Sequence, residues 1–181
     1  MQWIMAVAGR YPALDIVAIF FAQYFGYLVF LLFIAALLLE QDVRRRLYVF
    51  FVSGLSIILS MCVIREAFHY FFYRPRPFVA YDITPLIAHE ATASFPSGHA
   101  TFFFTIATII FLFMSRRFGI WAYVAAGVIG LARVYVGVHY PLDIIGGAII
   151  GAAAPFVIRL LLPKQAVAAG EGLLESDSKT V

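Results

Sequence analysis

Long apolar runs separated by short polar segments make up most of this chain. The first run, 16–39, is long enough to cross about 30 Å of hydrocarbon as a helix that rises about 1.5 Å per residue. The later runs are about 47–73, 100–114, about 120–138 and about 141–162. The last of them is rich in small residues, which allow a neighbouring helix to approach closely. The pattern predicts an all-α, polytopic membrane helix bundle with about five transmembrane helices.

The two ends of the chain differ from these runs. Residues 1–15 lack the basic segment of a cleavable signal peptide, and their apolar part is too short to span a bilayer. We therefore expect a short helix in the membrane interface there. Residues 1–163 are expected to form a single membrane-embedded domain, whereas the tail 164–181 is polar and is expected to be disordered.

Composition supports the membrane assignment. Hydrophobic residues make up 64% of the 181 residues and charged residues only 13%, and the mean hydropathy is +0.94. A soluble domain carries about a quarter charged residues, so we expect membrane lipids around this chain and no nucleic-acid partner. Cys62 is the single cysteine, which excludes an intrachain disulfide and a metal site built on thiolates.

Charge along the chain predicts an orientation in the membrane. One side of the predicted bundle collects most of the cations outside the motifs, namely Arg44, Arg45, Arg46, Arg116, Arg117, Arg159 and Lys164. The positive-inside rule makes this side cytoplasmic. The polar segment 74–97 and the turn 138–141 then face outward, in the inner (plasma) membrane of a cell. The four histidines all fall at or near that outer face: His69, His89, His99 and His139.

The first of three polar clusters is "HYFFYRPRP". Arg74 and Arg76 lie on an exit from a helix that Pro75 and Pro77 stiffen, so the pair can form a rigid, bidentate clamp for an anion. His69 precedes Arg76 by seven positions. The alternative is an interfacial arginine pair that reaches lipid phosphates, although positive charge on the outer side runs against the topological trend.

The second cluster is "FPSGHA". Ser97, Gly98 and His99 stand at the start of an apolar helix, where free backbone N–H groups and the positive end of the helix dipole attract an anion. Gly98 removes a side chain where the backbone would meet that anion. In the alternative reading, Ser97 is only the helix N-cap and His99 is a polar interface residue.

The third cluster is "ARVYVGVHYPLD". The four-residue step from His139 to Asp143 places both side chains on one face of a continuous helix. The carboxylate can then accept from one imidazole nitrogen and leave the other nitrogen nucleophilic. Alternatively, Asp143 and Arg133 form a simple buried ion pair.

Taken together, the three clusters resemble the three-part signature of the type 2 phosphatidic acid phosphatase superfamily. The matching patterns are His69-x6-Arg76-Pro77, Pro96-Ser97-Gly98-His99 and Arg133-x5-His139-x3-Asp143. Two positions depart from the signature, because the family has Lys where this chain has His69 and Ser where it has Ala132. The stretches "YRPRPFV" and "PLIAHEATASFPSGHA" are most similar to the bacterial undecaprenyl diphosphate phosphatases.

The resemblance implies a role for each matching residue. His139, oriented by Asp143, would attack the terminal phosphorus, and His99 would protonate the leaving group. The phosphoryl oxygens would be held by His69, Arg76, Ser97, Gly98 and Arg133, with Arg74 of the clamp beside them. No metal and no other cofactor is expected, and His69, in place of Lys, carries a charge that depends on pH.

The resemblance implies a lipid phosphatase that acts at the extracytoplasmic face on undecaprenyl diphosphate. Two alternatives remain at this stage. One is a phosphatase or phosphotransferase for phosphatidylglycerol phosphate or another lipid phosphate. The other is a transporter or lipid-binding protein that holds a phosphate headgroup without cleaving it, for which an oriented pair of imidazoles would have no use.

Overall fold

The computed structural model describes residues 7–162, and these residues form helices and no strand. We number the helices in chain order: α1 Pro12–Leu39, α2 Val43–Phe71, α3 Pro77–Ala80, α4 Gly98–Phe113, α5 Arg116–Tyr135 and α6 Pro141–Leu161. Two of them contain a π-helical stretch, Phe20–Tyr24 in α1 and Ile58–Arg65 in α2. The predicted all-α fold class is confirmed.

Four of these helices are long and apolar enough to cross a membrane, namely α1, α2, α5 and α6. The fifth predicted span is α4, which has 16 residues and a length of about 24 Å. The predicted interfacial helix lies partly on residues 1–6, outside the described residues, and residues 7–10 form a turn before α1 begins at Pro12. The predicted tail 164–181 also lies outside the described residues.

Capping residues explain where the helices begin. Asp42 accepts hydrogen bonds from the backbone N–H groups of Arg44 and Arg45, at 2.7 and 3.1 Å, and so starts α2. Ser115 caps α5, which therefore begins four residues before the apolar run from 120. Helix α5 ends at Tyr135, and Gly137 follows in a left-handed conformation (φ +86°) that turns the chain toward α6.

Helix α4 is the centre of the bundle and packs most extensively against α6 and α5. Its apolar side chains Ile106, Ala107 and Ile109 are fully buried. The hydroxyls of Thr101 and Thr105 donate to carbonyls one turn earlier, at 2.9 and 2.8 Å. Polar side chains are thus satisfied within the helix, as an environment without water requires.

The outer surface of the bundle is apolar. Large side chains on α1, α2 and α6 are exposed, including Leu31, Phe51, Ile149 and Leu160. A soluble protein does not leave such continuous apolar area in water. The exposed leucines and phenylalanines are therefore the surface that contacts lipid.

Glycines allow α6 to lie directly against α4. A Cβ atom at Gly151 would lie 2.3 Å from the backbone oxygen of Thr101, and one at Gly147 would lie 2.8 Å from that of Ser97. Real Cβ atoms do not approach this closely. The small residues of the last apolar run therefore have the packing role that the sequence predicted.

Replacing Gly151 should separate these two helices. We expect Gly151→Ala to lower the stability of the folded protein by about 1–3 kcal/mol, because the new methyl group meets backbone and not a mobile side chain. Gly127→Ala is the matched control, since nothing lies within 4 Å of a Cβ at that position of α5. Thermal unfolding of both variants in detergent measures the effect, and equal melting temperatures would contradict the packing argument.

Candidate active site

A cavity of about 730 Å³ lies at the end of the bundle where α4 and α6 begin and where α2 and α5 end. All four histidines of the chain line it. The other polar side chains of its wall are Gln23, Tyr27, Arg65, Glu66, Arg76, Glu90, Thr92 and Arg133. Phe30, Met61, Phe102 and Phe103 form an apolar side of the same cavity.

Six of the nine predicted site residues line this cavity: His69, Arg76, Gly98, His99, Arg133 and His139. The three clusters, which are up to 74 positions apart in the sequence (69 to 143), therefore meet at one place. The other three predicted residues, Arg74, Ser97 and Asp143, do not line the cavity. Asp143 lies beside His139 of the wall, and Arg74 and Ser97 both contact Asp143.

Arg76 is the most firmly held cation of the cavity. It is only 3% exposed, and its Nη1 atom donates to the carbonyl oxygen of Val138 at 3.1 Å. The same Nη1 lies 3.2 Å from Nε2 of His139, and Nη2 donates to Oγ1 of Thr92 at 3.1 Å. These contacts fix the guanidinium in one orientation, as bidentate recognition of an oxyanion requires.

The contact with Arg76 determines the tautomer of His139. A guanidinium has no acceptor, so the Nε2 atom that faces it must carry a lone pair. The proton of the neutral ring is then on Nδ1, which lies 3.5 Å from Oδ2 of Asp143. That distance is long for a hydrogen bond, as is common at catalytic groups without substrate. Nε2 therefore carries the free lone pair of the neutral ring.

Burial keeps this imidazole neutral. Desolvation lowers the pKa of His139 to about 4, and the positive charges of Arg76 and Arg133 act in the same direction. The interaction with Asp143 opposes this change only in part. Burial also lowers the pKa of His89, whose ring centroid lies 6.2 Å from that of His139. At neutral pH the ring of His139 is unprotonated at Nε2, as a nucleophile must be.

Asp143 is completely buried and joins several elements. Its Oδ2 accepts hydrogen bonds from the hydroxyl of Ser94 and from the backbone N–H of Tyr140, the latter at 2.8 Å. Its Oδ1 accepts from Nη1 of Arg74 at 3.1 Å. Four groups, including His139, thus compensate one buried carboxylate.

Arg74 differs from Arg76 in its surroundings. Its guanidinium pairs with Asp143 and lies 3.9 Å above the centroid of the Tyr140 ring. The side chain is 37% exposed. The two arginines of the predicted clamp are therefore directed to different partners, Arg76 to His139 and Arg74 to Asp143.

Ser97 and Gly98 begin α4 beside the first turn of α6. Ser97 is fully buried and is the N-cap of α4, with its Oγ accepting from the N–H of Ala100 at 3.5 Å. Its own N–H donates to the carbonyl oxygen of Asp143 at 3.0 Å. Gly98 and His99 face the cavity. The start of α4 thus brings free N–H groups and an imidazole to the same wall.

Arg133 approaches the cavity from the last turn of α5. It is 3% exposed, and its Nη1 donates to the carbonyl oxygen of Ala22 at 3.4 Å. Ala22 belongs to the π-helical stretch of α1. Arg133 does not approach Asp143 in any ion pair among the described residues, so the alternative of a simple Arg133–Asp143 pair is not what the structure contains.

Three guanidinium groups of the cavity share one feature. Within residues 7–162, the Nε atoms of Arg65, Arg76 and Arg133 are buried and have no hydrogen-bond partner. A buried donor without a partner is costly, and such atoms are usually explained by a missing ligand or a functional role. Three of them around one cavity match the oxygens of an anion.

Sequence patterns did not identify three of the polar residues around this site. Ser94 and Thr92 lie in the irregular segment before α4, where no periodicity predicts which side chains turn inward. Arg65 does carry a signal, because a charge within an apolar run is costly and suggests a function.

The arrangement suits phosphoryl transfer without a metal ligand set. A neutral imidazole with a free Nε2 faces a cavity that contains arginines, helix N–H groups and a second imidazole, the parts that nucleophilic attack on phosphorus requires. Among residues 7–162, no group of three or more His, Cys, Asp or Glu side chains has the arrangement of a metal site.

Comparison with known proteins agrees with this chemistry. The chain is 34% identical over 145 residues to undecaprenyl-diphosphatase BcrC of Bacillus subtilis. The aligned region covers 80% of this chain and 72% of that protein. The crystal structure of Aquifex aeolicus LpxE superposes with a TM-score of 0.68 and 29% identity, over 87% of this chain and 92% of that one. A PAP2 type phosphatidylglycerolphosphate phosphatase from Bacillus subtilis gives a TM-score of 0.61 and 26% identity, over 87% and 80%.

The fold and the site define a helical membrane protein with a buried histidine in a cavity lined by arginines. The sequence model of the PAP2 superfamily matches residues 49–166 of this chain. This chain therefore belongs to the PAP2 superfamily and is a membrane phosphatase. The resemblance predicted from the three motifs is confirmed.

The protonation of His139 can be tested directly. In protein labelled with ¹⁵N-histidine, we expect the ring to stay neutral at about pH 5.5, where an ordinary histidine with a pKa of about 6.5 is mostly charged. The Nε2 resonance should be that of an unprotonated nitrogen, and loss of the signals in His139→Gln assigns them. Asp143→Asn should lower the pKa further, because it removes a negative charge. A midpoint near 6.5 for His139 would contradict the proposed electrostatics.

Proposed function

We propose that this protein hydrolyses the terminal phosphate of an isoprenoid lipid diphosphate, namely undecaprenyl diphosphate, at the extracytoplasmic face of the cell membrane. The observation that carries the proposal is the neutral Nε2 of His139 at a cavity with three arginines whose Nε donors have no partner. The name of the BcrC relative supports the choice of substrate.

The proposed reaction has two steps. Nε2 of His139 forms a bond to the terminal phosphorus while the bond from phosphorus to the bridging oxygen breaks. His99 gives its proton to that oxygen, so a lipid monophosphate leaves. Water then attacks the phosphorus of the phosphohistidine while the bond from phosphorus to Nε2 breaks and its electron pair returns to that nitrogen. His99 takes a proton from the water, and inorganic phosphate is released.

The surrounding residues support these steps. Arg76, Arg133 and the N–H groups at Gly98 are proposed to hold the equatorial oxygens, whose charge they would stabilise more strongly as the reaction proceeds. Ser97 is proposed to keep those N–H groups in position, and its N-cap contact with Ala100 supports this role. We propose that Arg74 acts as a positioning residue, because its contact is with Asp143.

The shape of the cavity supports a lipid substrate. Its polar wall adjoins an apolar side formed by Phe30, Met61, Phe102 and Phe103. A phosphate headgroup on a hydrocarbon chain has the same division into a charged end and an apolar end. A soluble phosphate ester would leave the apolar side unused.

Charge distribution supports the extracytoplasmic location. Arg45 donates to the carbonyl oxygen of Met114 at 3.3 Å, so the start of α2 and the end of α4 lie at one end of the bundle. Arg116, Arg117 and Arg159 are close in sequence to that end, opposite the cavity. The positive-inside rule makes that end cytoplasmic. The seventh cation of the predicted cluster, Lys164, lies outside the described residues.

A phosphatase for phosphatidylglycerol phosphate is the second candidate. It is favoured by the similarity in fold to the phosphatidylglycerolphosphate phosphatase from Bacillus subtilis. A protein that only binds or transports a lipid phosphate is the third. The orientation of His139 by Asp143 argues against the third, since binding alone does not need a nucleophilic tautomer.

The covalent step predicts a trapped intermediate. Acid quenching of the protein with ³²P-labelled undecaprenyl diphosphate should leave acid-labile phosphate on His139, and His139→Gln should lose at least about a thousandfold in kcat. Excess EDTA is present throughout, and turnover should survive because arginines and N–H groups supply the positive field. Label on another residue would contradict the assignment of the nucleophile. Loss of activity that Mg²⁺ restores would contradict a metal-independent reaction.

A substrate comparison separates the three candidates. Purified protein is given undecaprenyl diphosphate, undecaprenyl monophosphate, phosphatidylglycerol phosphate and phosphatidic acid under the same conditions. We expect the largest kcat/KM on the isoprenoid diphosphate. A larger value on phosphatidylglycerol phosphate would favour the second candidate, and binding of these lipids without phosphate release would favour the third.

A further inference from the structure

Arg65 is a charged residue of the cavity wall that none of the three motifs includes. It is the last residue of the π-helical stretch Ile58–Arg65 in α2. His69 follows four positions later, on the same face of the helix and on the same wall. Single π-helical turns within α-helices occur frequently at functional sites. The position of Arg65 therefore suggests a role in the site.

The guanidinium of Arg65 lies against the start of α4. Its Nε and Cζ atoms are 3.1 and 3.5 Å from the position that a Cβ atom would take on Gly98. The absence of a side chain at Gly98 thus gives Arg65 access to the first turn of α4. An anion at the N–H groups of that turn would lie beside this guanidinium, and a permanent positive charge stabilises it there.

The hydrogen bonds of Arg65 leave one side of the group available. Nη1 pairs with the carboxylate of Glu66, whose side chain is 55% exposed. Nε is buried and has no hydrogen-bond partner within residues 7–162. Arg76 and Arg133 have the same unpartnered Nε on the same cavity. Arg65 thus shares the feature that marks the two arginines of the signature motifs.

His69 has a different environment. Its Nε2 lies 3.4 Å from the carbonyl oxygen of Pro96. A ring that donates to this carbonyl ties α2 to the segment before α4 and has only Nδ1 left for other contacts. The residue at the position of the family's Lys is thus directed to the backbone, while a permanent cation lies one turn earlier.

We propose that Arg65 binds the phosphate of the substrate and supplies the charge that the family's Lys supplies elsewhere, whereas His69 positions the segment before α4. This inference deepens the proposed function and rests on it for the identity of the substrate. Binding of a phosphate analogue by Arg65 does not depend on which lipid is cleaved.

The test uses orthovanadate, a phosphate analogue, and the purified full-length protein in detergent. Removing a charge-assisted hydrogen bond typically weakens binding about tenfold to a hundredfold. We expect Arg65→Gln to raise the vanadate Kd by this factor and Arg65→Lys to recover part of the loss. Calorimetry measures binding without turnover, and kcat/KM for undecaprenyl diphosphate is measured in parallel. Melting temperatures identify any variant that fails to fold.

Glu66→Gln is the matched control, because it breaks the same ion pair from the other side. If Arg65 binds phosphate, Glu66→Gln tightens vanadate binding, since this carboxylate of the cavity wall no longer competes for Arg65. If Arg65 only pairs with Glu66, both variants change binding equally, which would overturn the proposal. His69→Gln should change vanadate binding less than Arg65→Gln does, and the reverse order would also overturn it.

The outcomes separate this proposal from the proposed function. Vanadate binding that depends on Arg65, in a protein that releases no phosphate from undecaprenyl diphosphate, would leave Arg65 assigned and remove the proposed substrate. Turnover of undecaprenyl diphosphate with unchanged kcat/KM in Arg65→Gln would retain the substrate and overturn the role of Arg65. A parent protein that binds no vanadate at millimolar concentration would overturn it as well.

Discussion

The site depends on one buried carboxylate, that of Asp143. It lies in the first turn of α6, is completely buried, and contacts four groups from three parts of the chain: His139, Tyr140, Ser94 and Arg74. An isolated charge in such a place would be very costly. Each of the four contacts therefore offsets part of the cost of burying this charge, and each also fixes a part of the site.

The same end of the bundle holds an excess of buried positive charge. Arg76 and Arg133 are each 3% exposed and are near one another, and Arg65 is in the same wall. Asp143 compensates part of this charge, and its nearest cation is Arg74 rather than the arginines of the cavity. The remaining positive charge is unfavourable without a ligand and favourable with a phosphate. These charges thus lower the stability of the free protein and strengthen the binding of an anion.

The sequence predicted the fold well because both of its signals are local. Apolar runs and capping residues such as Ser115 determine the helices, and a lipid environment leaves few alternatives to a helix. The three clusters predicted six of the wall residues of the cavity. The sequence did not predict that Arg74 and Arg76 point to different partners, because both flank Pro75 and spacing carries no side-chain direction. Ser94 could not be predicted either, since it lies in an irregular segment and its contact with Asp143 joins residues that are 49 positions apart in the sequence.

The π-helical stretches explain why the sequence pattern does not show which face of α2 carries Arg65. A π-turn adds one residue to the helix, and this rotates the residues that follow by about 100° relative to a regular α-helix. Helical periodicity counted from the start of α2 therefore does not give the face on which the residues after this stretch lie, His69 among them. In α1 the π-helical stretch Phe20–Tyr24 contains Ala22, whose carbonyl oxygen accepts a hydrogen bond from Arg133. Among the three arginines of the cavity wall, Arg65 and Arg133 are thus associated with local departures from the α-helix, which a periodic pattern cannot reveal.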